Sequence, residues 1–152
     1  MEPLFEFALC IKAIERELDR LFNEAVRPLG ATAAQADALV VIDQAGPVSL
    51  GELGKLLIAE GGHPSRLVDR LVEAGLVERT RAGEDRRRIV LSLTARGRRL
   101  SRKVTAARRD MMALGEQLLP GPDLERTLRV LRRLVDQSSF AELVSARREL
   151  DR

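Results

Sequence analysis

A mainly α-helical fold carrying one small β-hairpin is what the sequence predicts, on three observations. Capping boxes of the form Ser/Thr-x-x-Glu/Gln stand at Thr32, Ser49 and Ser139. Each marks a helix start at which two side chains satisfy two backbone N–H groups reciprocally. Apolar residues recur three and four apart over long stretches near both ends of the chain. Only Gly75 to Thr94, reading GLVERTRAGEDRRRIVLSLT, departs from that period, with two short strand candidates around an arginine-rich turn.

The elements follow in order. Phe7, Ile11, Ile14, Leu18, Leu21 and Ala25 form one seam along a first helix. Thr32 and Gln35 start a second, whose apolar run Ala36 to Ile42 ends in a turn from Asp43 to Pro47. Simple capping is the expected role of its N-terminal amides. The box Ser49-Leu50-Gly51-Glu52 opens a third helix, expected to reach about Ala59. After Glu60-Gly61-Gly62, Pro64 suits the first position of a fourth helix, where its missing N–H is harmless, and Gly75 suits the left-handed residue that ends it. On that helix Leu67, Val68, Leu71 and Val72 share one face, and Arg66, Asp69, Arg70 and Glu73 share the other.

The hairpin strands are expected at Leu76 to Thr80 and Ile89 to Leu93, with Ala82-Gly83, Glu84-Asp85 and Arg86, Arg87 and Arg88 in the turn. Thr94 can cap a long fifth helix bearing Leu100, Val104, Ala107, Met111, Leu114 and Leu118, which Pro120-Gly121-Pro122 ends. A further helix carries Leu124, Leu128, Leu131 and Val135, and Ser139 with Glu142 starts the last segment.

Helix, turn, helix and then a two-stranded wing is the winged helix-turn-helix arrangement, whose second helix enters the major groove of DNA. Within it, PSRLVDRLVEAGLVER resembles the recognition helix and following strand of MarR-type transcriptional regulators. Asp85-x-Arg87 followed by Leu93-Thr94-x-x-Gly97 resembles that family's wing signature. The resemblance covers essentially the whole chain. It implies one domain over 1–152, with residues 31–94 as the winged helix-turn-helix and residues 1–30 and 95–152 as flanking dimerisation helices. It also implies that Arg87 enters the minor groove while Asp85 holds the hairpin in shape.

Three adjacent guanidiniums repel one another, and an anionic partner relieves that repulsion. From Arg79 to Arg109 twelve Lys or Arg face two acids, a net of +10, whereas Met1 to Gly30 carries a net of −2. The basic block is expected to face double-stranded DNA bearing an inverted repeat. Candidate DNA-binding residues are His63, Pro64, Ser65, Arg66, Asp69 and Arg70 on the helix, and Asp85, Arg86, Arg87 and Arg88 on the wing. Arg66, in the first turn, can reach a guanine edge or a phosphate, supported by Ser65 and Arg70. His63 serves either helix entry or a DNA contact.

Composition excludes several other classes. With 45% hydrophobic and 32% charged residues in 152, the chain is ordinary for a soluble globular domain. Its longest apolar runs fall well short of about 18 residues, and Glu2 and Glu6 are foreign to a signal peptide, so a cytoplasmic protein with no membrane partner is expected. One cysteine, Cys10, and one histidine, His63, cannot assemble a structural zinc site. No nucleophile has a positioned base, so neither an enzyme nor a cofactor is expected.

A helix of about 24 residues spans about 36 Å, longer than a small winged domain can cover. A homodimer is therefore expected, and the resemblance implies the same. The function expected is a repressor released by a small apolar or aromatic ligand, held in a mostly aliphatic pocket between the helical and winged regions. A protein-interaction or RNA-binding adaptor is the rival, but it needs no arginines on the wing and outer helix face. A thiol-based peroxide sensor is a second rival. Against it, Cys10 is flanked by Leu9 and Ile11 and is expected to be buried, and the tyrosines that the resemblance implies as thiolate donors are absent from the chain.

Overall fold

A computed structural model describes residues 1–58, 64–82 and 85–151, and the side chains of all of these except residues 82 and 85–87. Among them are seven α-helices and one hairpin. Helix α1 (Pro3–Val26) runs into a 3-10 turn, Arg27–Leu29, closed by Gly30 at φ +75°. Asn23 welds this corner: its Nδ2 donates to the Asp19 carbonyl at 2.9 Å, and its Oδ1 accepts from Ala33 N at 3.1 Å. Both groups of the Thr32–Gln35 capping box are made, and they start α2 (Ala33–Ala45). Six of its residues from Ala36 to Ile42 are buried. Its exposed residues, Ala34, Asp43 and Gln44, lie near its two ends, because the rest of the fold is built around its middle.

The Ser49–Glu52 capping box starts α3 (Leu50–Leu56). The helix is shorter than the expected span to Ala59, since Leu57 turns extended to bury its side chain among the core. Ala59 itself lies outside the described residues, as do Glu60 to His63. Pro64 begins α4 (Pro64–Glu73), which buries Val68 and Leu71, and Gly75 follows at φ +67°.

Strands β1 (Val77–Ala82) and β2 (Asp85–Leu93) pair antiparallel, from Val77↔Leu93 to Arg81↔Ile89. The arginines are not turn residues. The register shifts between Arg81 and Ala82, where the next pair is Ala82↔Asp85, so Arg86, Arg87 and Arg88 fill an irregularity within β2 that no residue of β1 matches. Strand pairing thus outruns the apolar part of the hairpin, because backbone hydrogen bonds and a bulge carry it where side-chain pattern does not. A second feature is absent from the sequence reading. Val48, just before α3, exchanges two backbone hydrogen bonds with Leu91, adding a one-residue bridge at the edge of β2.

Helix α5 (Ala95–Leu118) is capped by Thr94, whose Oγ1 accepts from Gly97 N at 3.0 Å and donates to the Gly75 carbonyl at 2.8 Å. A Cβ built at Gly97 would lie 2.0 Å from the Leu76 carbonyl oxygen, so the first turn of α5 rests directly on the backbone at the wing root. Helices α6 (Gly121–Val135) and α7 (Ala141–Leu150) complete the chain. The expected capping box at Ser139 does not form. Phe140 occupies the N-cap, and Ser138 Oγ instead accepts from Phe140 N and donates to the Val135 carbonyl, wrapping the end of α6.

The larger core joins Leu39 and Ile42 of α2 to Leu53, Val68, Leu71, Val77 and Leu91. A smaller one sets Val26, Ala36, Val40 and Val104 beside Phe22 and Leu29. The first helix's seam lies largely outside both. Phe7, Ile11, Ile14 and Leu18 are 38–55% exposed, and Leu114 and Leu118 of α5 are exposed as well. Cys10, expected to be buried, is also exposed, because among the described residues nothing covers this stretch of α1.

Candidate nucleic-acid interface

The outward face of α4 presents Arg66, Asp69, Arg70 and Glu73 to solvent, with Ser65 half-buried beside them. The opposite face, with Val68 and Leu71, is locked into the core. Helix α4 therefore cannot rotate without unpacking, and its polar face is fixed. Pro64 is half-buried and bears on α3, its Cγ 3.4 Å from where a Cβ on Gly54 would stand.

Two ion pairs brace the hairpin against the helices. Asp69 Oδ1 of α4 accepts from Arg79 Nη2 of β1 at 2.5 Å. Glu52 Oε1 of α3 accepts from Arg88 Nη2 of β2 at 2.7 Å. All four side chains are roughly half exposed, so each pair fixes orientation more than it adds stability. Backbone and side-chain hydrogen bonds from Ser49, then the Arg88 guanidinium, hold the Glu52 carboxyl down at about 2. At neutral pH the Glu52 carboxyl is therefore ionised.

The structure thus brings Arg66, Asp69 and Arg70 onto one exposed helix face and ties Arg88 back to α3. His63 lies outside the described residues, as do the side chains of Asp85, Arg86 and Arg87. Glu52 and Arg79 were not among the expected site residues. Glu52 was legible only as a cap, and nothing in the spacing signals that an acid 36 positions before Arg88 would meet it.

Between α1, α2, α5 and α7 lies an open pocket of about 500 Å³. Leu18, Phe22, Met111, Met112, Leu143 and Val144 supply largely apolar walls, with charged side chains set among them. Asp37 of α2 accepts from Arg108 of α5 and from Arg147 of α7, each at 2.9 Å, and Arg108 also stacks over Phe22 at 4.8 Å. The seam pattern counted only apolar positions, so Asp37, Arg108 and Arg147 escaped it. Among the described residues no group of acids, cysteine or histidine could hold a metal ion, and no helix is long and apolar enough to cross a membrane.

Comparison with known proteins places this geometry. A family described as a winged helix DNA-binding domain matches residues 32–97. The multiple antibiotic resistance protein MarR of Escherichia coli strain K12 is 39% identical over 87 residues, covering 57% of this chain and 60% of that protein. The chain thus spans less than two thirds of that relative's length. The organic hydroperoxide resistance transcriptional regulator of Bacillus subtilis strain 168 is 26% identical over 133 residues, covering 86% and 89%. Among solved structures, a cysteine-to-serine mutant of Escherichia coli MarR complexed with operator DNA aligns with a TM-score of 0.78 and 28% identity, over 87% of this chain and 95% of that one.

Proposed function

Because the chain belongs to the MarR family of winged-helix proteins, we propose that it is a homodimeric, sequence-specific DNA-binding regulator of transcription, acting in the cytoplasm as a ligand-released repressor. The observation that carries this reading is the fixed, arginine-bearing outer face of α4, flanked by a hairpin braced to it. Arg66 and Arg70 stand where a major groove would meet them, and Arg87 belongs to the strand that would reach the minor groove. The exposed seam of α1 supports the dimer, since its apolar side chains, spaced for helix packing, stay 38–55% exposed among the described residues. Two-fold symmetry then calls for an inverted repeat, with half-sites about one helical turn apart. The pocket beside Asp37 supports the effector: its largely apolar walls suit a small apolar or aromatic ligand.

The test is a fluorescence-anisotropy titration on the duplex that the protein enriches from a random-sequence library. An inverted repeat should emerge, and Arg66→Ala should weaken its binding by about 1–3 kcal/mol. Unchanged affinity in that variant would remove α4 from the groove. A set of enriched sequences without two-fold symmetry would remove the dimeric mode.

A further inference from the structure

Arg147 sits near the C-terminal end of the chain, yet each of its polar contacts reaches another element. Its Nη2 donates to Asp37 Oδ1 of α2 at 2.9 Å. Its Nη1 lies 3.3 Å from Asp37 Oδ2 and 3.2 Å from the Leu56 carbonyl oxygen, in the last turn of α3. Arg108 of α5 donates to the same Asp37 Oδ1. The three side chains are only 22–29% exposed, so these charge-assisted bonds form where water competes weakly. Leu56 ends α3, and its carbonyl is one of those a helix leaves unpaired; a guanidinium there also meets the negative end of the helix dipole. A second tie runs alongside, from Gln44 Nε2 of α2 to Asp151 Oδ1 just past α7.

We propose that Arg147 is a positioning residue, the clamp through which the C-terminal helix holds α3, and with it α4, in register for DNA. The inference rests on the DNA-binding reading above. Displacement of α3 reaches α4 because Leu53 and Leu57 share one core with Val68 and Leu71, and because Pro64 is packed on Gly54. The clamp needs the planar fork of an arginine, which serves both carboxylate oxygens and a carbonyl at once; a lysine is a single point charge and cannot span them. In this arrangement α7 is more than a dimerisation appendage: it is joined by a hydrogen bond to the first helix of the helix-turn-helix and by two more to α2.

The experiment compares full-length wild type with Arg147→Gln and the conservative Arg147→Lys. Amide hydrogen exchange of the free protein should quicken by about tenfold in α3 in both variants, a loss of about 1.4 kcal/mol of local protection. The β2 amides should keep their rates. Affinity for the duplex enriched by the wild type should fall by about tenfold, with the slope of log affinity against log salt unchanged, because no phosphate contact is removed. A slope reduced by about one would make Arg147 a direct phosphate contact and overturn the proposal. Arg147→Lys behaving as wild type in exchange and affinity would overturn the fork. Unchanged α3 exchange in both variants overturns the clamp whether or not DNA binds. Failure of the wild type to enrich any duplex would instead sink the DNA-binding reading, and the register claim with it, while exchange still decides the α7–α3 link.

Discussion

Gly97→Ala should destabilise the fold strongly, although alanine is ordinarily the better helix residue. The added Cβ would lie 2.0 Å from the Leu76 carbonyl oxygen and 3.0 Å from its carbon. A relaxed carbon–oxygen contact needs about 3.3 Å, so α5 and the wing root must part by about 1.3 Å. The same carbonyl accepts from Thr94 N at 3.0 Å, and the same turn carries the Thr94 cap on Gly97 N. Losing the cap costs about 1 kcal/mol, a strained backbone hydrogen bond about 1 kcal/mol, and overpacking about 1–3 kcal/mol. The intrinsic helix gain of about 1 kcal/mol offsets part of this, leaving a net loss of about 2–4 kcal/mol. For a chain of this size that is a fall in Tm of about 5–15 °C, read by circular dichroism at fixed protein concentration. Gly115→Ala supplies the control, being on the same helix with nothing within 4 Å of its Cβ, and should raise Tm slightly. Gly97→Ala melting at or above the wild type would refute the close approach of α5 to Leu76.

Glu52 has a depressed carboxyl in the folded state, so its contribution to stability is present above the unfolded value of 4.5 and is lost as pH falls through 4.5 toward about 2. Glu52→Gln, which can keep the cap but not the charge, should flatten that part of the stability-versus-pH curve, and an identical curve for both proteins would deny the brace. Ile14→Asp, on the exposed seam of α1, should shift sedimentation toward monomer, whereas an unaltered dimer would move the subunit contact elsewhere. Cys10→Ser should bind DNA like the wild type, and cumene hydroperoxide should leave both unaffected, since among the described residues no donor is bonded to the thiol. Peroxide-driven release in the wild type alone would make this an oxidation sensor.

Local chemistry was legible in the sequence; long-range pairing was not. The boxes at Thr32 and Ser49, the Thr94 cap and the turn at Gly75 each depend on residues within a few positions, and each stands where its spacing puts it. Ser139 failed because Ser138 made the competing local bond. The fixed polar face of α4 was readable from helical period alone. By contrast, the partners Asp69–Arg79, Glu52–Arg88 and Asp37–Arg147 join residues 10, 36 and 110 positions apart, and charge carries no periodicity that would match them. Cys10 was misplaced because flanking apolar residues mark a helix as packable, not as already packed.

The bracing of the hairpin has a consequence for how a duplex could be gripped. With Asp69 holding β1, Glu52 holding β2 and Gly97 seating α5 against Leu76, reading head and wing travel together. A major-groove step and the neighbouring minor-groove step would be gauged by a caliper of set width. Tolerance for half-sites that stand nearer or farther apart would then have to come from the far end, where α1 and the second half of α5 leave the core behind, by pivoting whole lobes instead of flexing fingers.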